Sequence, residues 1–452
     1  MAKKNQPLTP EEKLAQALVP QDQQPYELPK GWVWTKMENV ATWGSGGTPS
    51  RKHPEFYNGN IPWVKTGELN DSYIYDTTEK ITETAITHSS AKLYPKDTVI
   101  IAMYGATIGK AGILGVEAAT NQACACAQTY PCVYFKFLFY FLISQKFHFI
   151  EMGKGGAQPN ISQDILKKHF FPLPPLPEQQ RIVARIEGLF AKLDAAQEKL
   201  QQVLDTQEAR RAAILHEAFT GRLTGKRSEE CRGKSEEGDS QNISLKECGT
   251  WHGGGTPSKS HEEYWENGDI MWITSKDMKS NLIDTSMVCI NQKGVENSSA
   301  IYCEKPSVLF VMRSGILRHS FPVAVVRKPY TVNQDLKALV PNPDLIPEYI
   351  FWACKENEQN ILHQCMKSGT TVESINFQAL QQFQIPYFPQ SIQKQIVDKI
   401  HTLMKQEDSV AAITQSTLSQ IDLLKKSILA RAFRGQLGTQ DPSDPDAREL
   451  LL

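Results

Sequence analysis

Gly105-Ala-Thr-Ile-Gly109-Lys110 brings together two glycines, a hydroxyl and a lysine, the residue types that cradle a nucleotide phosphate. The spacing does not fit that chemistry. Three residues separate the glycines where a nucleotide loop needs four, and Ala111 stands where a Ser or Thr would hold magnesium. Gly44-Ser-Gly46-Gly47 lacks the third glycine of a dinucleotide fingerprint. The chain has no Asn/Asp-Pro-Pro-Tyr/Phe tetrapeptide of the kind that holds a target adenine, and no convincing Pro-Asp…Asp/Glu-x-Lys nuclease cluster. Its ten histidines include no His-Glu-x-x-His zinc helix, and Glu262 and Glu263 read as solvated loop charges. Nine cysteines form no Cys-x-x-Cys pair. The tightest group, Cys124, Cys126 and Cys132, sits in a strand-like apolar segment and reads as free thiols rather than metal ligands. The expectation is a chain with no catalytic residue, no metal and no cofactor of its own.

The elements that carry these segments occur twice. Trp43-Gly-Ser-Gly-Gly-Thr-Pro-Ser50 returns as Trp251-His-Gly-Gly-Gly-Thr-Pro-Ser258, 208 residues later. Each copy then has a Tyr/Asn/Gly element and a Trp strand, Tyr57-Asn-Gly-Asn-Ile-Pro-Trp63 and Trp265-Glu-Asn-Gly-Asp-Ile-Met-Trp272. Thr120-Asn-Gln122 matches Val332-Asn-Gln334, Gln180-Arg-Ile-Val183 matches Lys394-Gln-Ile-Val397, and Ala218-Phe-Thr-Gly-Arg-Leu223 matches Ala432-Phe-Arg-Gly-Gln-Leu437. The offset drifts by six residues through the first part of each copy and is constant after it. A duplicated unit with insertions confined to loops accounts for this.

Each copy has two parts. The first, residues 28–175 and 243–389, mixes short apolar strands such as Thr98-Val-Ile-Ile-Ala-Met103 with Gly/Pro/Asn punctuation and predicts a mixed α/β domain. The second, residues 176–225 and 390–438, predicts a long helix. Its apolar positions in copy one are Ile182, Ile186, Leu189, Leu193, Ala196, Leu200 and Val203, alternating steps of four and three, then Gln207, and they resume at Ile214 and Ala218. Copy two gives Ile396, Ile400, Leu403, Val410, Leu418, Ile421, Leu424, Ile428 and Ala432, with Glu407 and Thr414 interrupting the seam. Prolines before each helix and Gly221 and Gly435 after it mark the ends. About 45 residues make a helix on the order of 65 Å long. Two such seams in one chain can close on each other as an antiparallel intramolecular coiled coil, the other reading being a generic dimerisation rod. Residues 226–242 are polar and mixed-charge and read as a linker, 439–452 as an acidic tail, and 1–27 as a segment that docks near the C-terminus.

The layout resembles the DNA-specificity subunits of type I restriction–modification systems. The resemblance rests on Gly46-Gly-Thr-Pro-Ser50, Pro62-Trp-Val-Lys-Thr-Gly67, Tyr104-Gly-Ala-Thr-Ile-Gly-Lys110, Thr120-Asn-Gln122, Gln158-Pro-Asn-Ile161 and Pro177-Glu-Gln-Gln-Arg-Ile-Val183, in order and largely repeated, from Leu28 to Leu437. It implies two target-recognition domains separated by spacer helices, each domain reading one half of a bipartite site on double-stranded DNA. It further implies two modification subunits, which bind S-adenosylmethionine and methylate adenine, and restriction subunits that use ATP and magnesium. On this reading the chemistry lies in the partners. Copy two departs from copy one where half-sites would differ. Met103-Tyr-Gly-Ala-Thr-Ile-Gly-Lys110 becomes Met312-Arg-Ser-Gly-Ile-Leu-Arg-His-Ser320, and Gly155-Gly-Ala-Gln-Pro-Asn160 becomes Gly369-Thr-Thr-Val-Glu-Ser374.

Gly-rich turns let backbone amides approach phosphate, Ser, Thr, Lys and Arg donate to it, and base edges are read by Arg, Lys, Asn, Gln, Ser and Thr. The DNA-contact candidates in the first domain are therefore Thr48, Ser50, Arg51, Lys52, Lys65, Thr66, Tyr104, Thr107, Lys110, Lys154 and Gln158. In the second they are Thr256, Ser258, Lys259, Thr274, Ser275, Lys276, Arg313, Arg318, His319, Lys367 and Thr370. Arg313, Arg318 and His319 are the sharpest base-reading candidates, because three donors cluster in a segment that differs between copies. Plainer readings stand beside these. Gly-Gly-Thr-Pro-Ser is equally a structural turn, Tyr104 equally a packing residue, and Lys52, Lys154 and Lys367 equally solvated charges. Trp63 and Trp272 read as core, and Asn121 and Asn333 as turn formers.

Composition sets limits on the class. With 49 Lys and Arg against 50 Asp and Glu the net charge is −1, which argues against a basic DNA-coating protein but leaves room for local basic loops. The most apolar run, Val133 to Ile143, is broken by Lys136 and too short to span a membrane, and the N-terminus has no apolar signal core. A cytoplasmic protein with no membrane partner is expected. Two rivals remain open at this point: a coiled-coil adaptor that never reads DNA, and a self-sufficient restriction–methyltransferase fragment.

Overall fold

Val99-Ile-Ile-Ala102 is apolar at every position and buried at every position, as the middle strand of a sheet covered on both faces must be. It is the centre of a five-stranded sheet in the order Ala41–Ser45, Cys124–Thr129, Val99–Ala102, Ala111–Leu114, Ser72–Ile74. Ser307–Val311 has the same character and the same place in a second sheet, ordered Gly249–His252, Leu336–Pro341, Ser307–Val311, Val323–Val326, Leu282–Ile283. In both sheets the last pair is parallel and the other three are antiparallel. The computed structural model describes residues 9–153, 160–224, 242–367 and 372–452. They fall into two compact units, one of residues 1–200 with 416–452 and one of residues 201–415.

In the first unit a smaller sheet pairs Tyr57–Val64 with Lys80–Ile81, in parallel with Ala118–Thr120, and through it with Leu93–Tyr94. In the second, Ile270–Ile273 pairs with Cys289–Ile290 and in parallel with Tyr330–Val332. A two-stranded ribbon closes each unit, Val33–Lys36 with Phe170–Leu173 and Asn242–Ser244 with Gln384–Pro386. The helices Phe135–Ser144 and Pro347–Glu356 pack on the large sheets. Phe137, Leu138, Phe141 and Leu142 share a core with Val99 and Ile101, and Tyr349, Ile350, Phe351 and Ala353 share one with Val308 and Phe310.

The spacers differ from expectation in two ways. The first is two helices, Leu176–Asp205 and Gln207–Phe219, whereas the second, Gln390–Ala432, is continuous. The break has a physical cause. Arg210 Nη1 donates to the Val203 carbonyl at 3.0 Å and to the Thr206 hydroxyl at 2.6 Å, so a side chain takes the acceptor that the Gln207 amide would use. The seam is also shifted. Val410 and Leu424 are 40% and 51% exposed and Ala196 is exposed, while Thr414, read as an interruption, is buried and Glu407 is paired with Arg210. A straight α-helix falls about 20° behind a seven-residue repeat at each heptad, so strict three–four spacing leaves the buried face.

Within each unit the helix segments run antiparallel. In the first, Asp194 pairs with Lys425 and Arg181 bonds to Thr439 and Asp444. In the second, Arg210 and Arg211 pair with Glu407 and Asp408, and Lys399 reaches the Leu223 carbonyl. The helices end ahead of Gly221 and Gly435, both in the left-handed region at φ +77° and +67°. In the first unit the Tyr26 hydroxyl donates to the Phe433 carbonyl at 2.9 Å, and the Ala447 amide to the Gly31 carbonyl at 3.0 Å. The Phe433 ring meets Phe137 and Phe141 edge-on. The acidic tail is thus built into that unit. Among the described residues no helix is long and apolar enough to cross a membrane.

Each spacer starts on a buried glutamine. Gln179 accepts from the Tyr134 amide and donates to the Cys132 and Pro174 carbonyls; Gln393 accepts from the Ile346 amide and donates to the Asp344 and Phe388 carbonyls. Both are wholly buried, and each ties three backbone groups to the helix N-terminus.

Candidate nucleic-acid interface

Thr120-Asn-Gln122 and Val332-Asn-Gln334 leave buried strands and gather the loops that carry most of the candidates. In the first unit the Thr120 carbonyl accepts from the Gly47 amide at 2.9 Å, and Gln122 accepts from the Thr48 hydroxyl. The Asn121 amide donates to the Val64 carbonyl at 2.9 Å, which brings Lys65 and Thr66 to the same place. The Ala123 carbonyl accepts from the Met103 amide at 2.9 Å, placing Tyr104. The Met103 carbonyl in turn accepts from the Ile161 amide at 2.9 Å, and Asn160 bridges Tyr104.

The second unit repeats every one of these bonds. Val332 accepts from Gly255, Gln334 from Thr256, Ile273 from Asn333, Asp335 from Met312, and Met312 from Ile375. Ser374 bridges Arg313 as Asn160 bridges Tyr104. The glycines are explained by close approach. A Cβ on Gly46 would lie 1.9 Å from the Thr120 carbonyl oxygen, and one on Gly254 1.8 Å from that of Val332. Gly47 and Gly255 press against Ser90 and Ser299 in the same way. Trp63 and Trp272, 2% and 8% exposed, donate their indole N–H to the Gly47 and Gly255 carbonyls at 3.1 and 3.0 Å, so they brace the loops from the core. Asn121 and Asn333 each accept from the amide two residues on, holding the turn.

The candidates divide by what already holds them. Thr48 and Thr256 are bonded to the hub glutamines. Thr107 donates to the Tyr104 carbonyl, Thr274 to Asp277, and Ser258 is bonded to Ser260. Ser50, Lys52, Lys259, Lys276 and Lys367 are exposed, and Thr66, Lys110 and Ser275 half-buried. Gly105–Thr107 is one 3₁₀ turn ahead of the strand Ala111–Leu114, and Gly109 lies against Lys146, the first residue of the helix Lys146–Met152. Tyr104 is 44% exposed at the loop tip, and Arg313 and His319 are exposed at the corresponding tip of the second unit. Lys154, Gln158 and Thr370 lie outside the described residues.

Charge adds what sequence reading missed. Glu79 accepts from both Arg51 and Lys65, and the hydrogen bond from Arg51, ahead of that from Lys65, holds its carboxyl at about 2. Arg51 also lies over the Tyr57 ring, 4.2 Å from its centre. In the second unit Arg318 pairs with Glu373, whose carboxyl is held low by that bond. Glu79 carries no local motif. Its only signal is a contrast: Trp63 donates its amide to the Glu79 carbonyl as Trp272 does to that of Val288, so an acid and an apolar residue occupy one position.

Residues 29–205 and 237–417 each match the type I restriction modification DNA specificity domain. The chain belongs to that specificity family. It is 37% identical over 193 residues to the specificity subunit of type I restriction enzyme EcoR124I/EcoR124II of Escherichia coli, a match that spans 42% of this chain and 46% of that protein. Against the EcoKI specificity subunit of Escherichia coli strain K12 it is 22% identical over 433 residues, 92% of this chain and 91% of the other. The fold is shared with the HsdS subunit of Thermoanaerobacter tengcongensis at a TM-score of 0.63 and 20% identity, covering 91% of this chain and 99% of that one. A chain from a type I R-M system studied for complex assembly and conformational transition gives 0.65 and 21%, covering 91% and 100%. Specificity-family membership and the tandem frame therefore agree: two copies of one domain, one hub, and unlike loop tips.

Proposed function

We propose that this chain is the DNA-reading subunit of a type I restriction–modification complex, each unit contacting one half of a bipartite site through the loops gathered on its Asn-Gln turn. The observation that carries this is the contrast at the hub. Five hydrogen bonds and one bridge recur in both units, yet the tips they hold present Tyr104 in one and Arg313 with His319 in the other. A constant frame with variable donors is what two different half-sites require. The spacer helices set the gap and dock two modification subunits. Those subunits supply S-adenosylmethionine and adenine methylation, and restriction subunits supply ATP- and magnesium-dependent cleavage. This chain itself is non-catalytic.

A map of methylated adenines in host cells with and without the gene tests the reading. Loss of methylation at one split motif, on both strands, is the expected result. An unchanged map, while the partner methyltransferase is active with another specificity subunit, would put the adaptor reading ahead.

A further inference from the structure

Three positions change together between the units, and they touch one another. Where the first unit has Arg51, Lys65 and Glu79, the second has Lys259, Thr274 and Val288. The equivalence is set by the backbone. The Lys65 amide donates to Glu68 as the Thr274 amide does to Asp277, and the Thr77 hydroxyl donates to the Glu79 carbonyl as the Ser286 hydroxyl does to that of Val288. The carboxylate is present in the unit that has two cations beside it and absent in the unit that does not.

Glu79 spends its acceptor capacity on these two residues. Both oxygens take the end of the Arg51 fork, one of them at 2.9 Å, and Oε2 also takes Lys65 Nζ at 3.0 Å. This is how a backbone phosphate would be held: a bidentate arginine with a lysine on one oxygen. The group sits at the hub, since Arg51 follows the Gly-Gly-Thr-Pro-Ser loop and Lys65 follows the strand that Asn121 ties down. The pairs are also breakable. The side chains of Arg51 and Lys65 are 60% and 38% exposed, and exposed ion pairs are weak and screened by salt.

We propose that Glu79 stands in for a DNA phosphate in the free protein, occupying Arg51 and Lys65 until a duplex phosphate displaces it. The proposal rests on the DNA-reading function above and makes Glu79 a determinant of discrimination. Arbitrary DNA must compete with the carboxylate, so weak encounters gain little from these cations. A site that also satisfies the loop tips exchanges the carboxylate for phosphate.

The test is binding of the full chain, alone and with its modification subunits, to a short duplex of arbitrary sequence over a range of salt. Glu79→Gln should tighten binding several-fold at low salt and steepen the log–log salt dependence by about 1–2, since each freed cation adds roughly 0.9. Glu79→Val, which installs the second unit's residue, should do the same and guards against a folding defect in one variant. In an Arg51→Ala/Lys65→Ala background the gain should vanish. An unchanged slope in both variants, weaker binding in both, or a gain that survives removal of Arg51 and Lys65 overturns the proposal. If neither the wild type nor either Glu79 variant binds DNA, alone or with the modification subunits, the DNA-reading function falls, and the stand-in role with it. A wild type that binds with variants that do not differ sinks only the role of Glu79.

Discussion

Arg313 and Tyr104 occupy one backbone position on two copies of the same frame, each bridged to the strand-like segment that returns beside it. A guanidinium at that place can take a guanine edge, and a phenol cannot do so bidentately. Arg313→Ala should therefore lower discrimination at one half-site by about 1–3 kcal/mol and leave the other unchanged, as read by competition between matched and mismatched duplexes. Uniform weakening across sequences would instead mark Arg313 as a phosphate contact. The glycines beneath the tips make a second prediction. Gly46→Ala and Gly254→Ala push a methyl group into a carbonyl oxygen and should each cost about 1–3 kcal/mol in urea unfolding, whereas Gly67→Ala, which meets nothing within 4 Å, should be near neutral. The sequence displays these glycines because they recur. It does not display the pairing of Arg51 with Glu79 or of Arg318 with Glu373, because each acid lies far along the chain from its arginine and nothing in the spacing joins them.

At the scale of the element, the strands were legible from their apolar runs and the helices from their periodicity, but the contacts between them were not. Gln179 and Gln393 look like ordinary polar residues near a helix start, yet both are wholly buried and each satisfies three backbone groups. Gln179→Leu would leave an amide and two carbonyls unpaired, at about 1–3 kcal/mol for each buried group left unsatisfied. Thermal unfolding of Gln179→Leu and Gln393→Leu should show large losses of similar size, and no loss would mean that water replaces the amide. The break at Thr206 was hidden for a related reason: it depends on where Arg210 reaches, and periodicity says nothing of that. Val410 and Leu424 show the limit of heptad reading, since three–four spacing holds only while both helices supercoil.

Across the whole molecule, the net charge of −1 conceals a local arrangement in which three of the candidate cations, Arg51, Lys65 and Arg318, are already matched by acids. One buried acid gives stability a pH signature. Glu178 is 2% exposed, accepts from the Trp32 indole at 2.7 Å and from Thr439, and burial pushes its carboxyl up. An acid whose pKa is raised on folding binds more protons in the folded state, so its stabilising contribution is present below the ordinary carboxylate range and is lost as pH rises through the raised value. Glu178→Gln, which keeps an acceptor for Trp32, should be at least as stable as wild type at neutral pH, and the difference should shrink on acidification in paired denaturant titrations. A difference that grows on acidification would contradict the buried-acid account.

Phe433, whose ring lies against Phe137 and Phe141, and Ala447, bonded to Gly31, belong to the first unit although they come near the end of the chain. The second unit is one unbroken stretch, residues 201–415. On a ribosome the order of assembly is thereby reversed. The half made first lacks Phe433 until residues beyond 415 emerge, whereas residues 201–415 are all present before them. A product cut short after residue 415 would lack Phe433 and leave Phe137 and Phe141 without the ring that meets them edge-on.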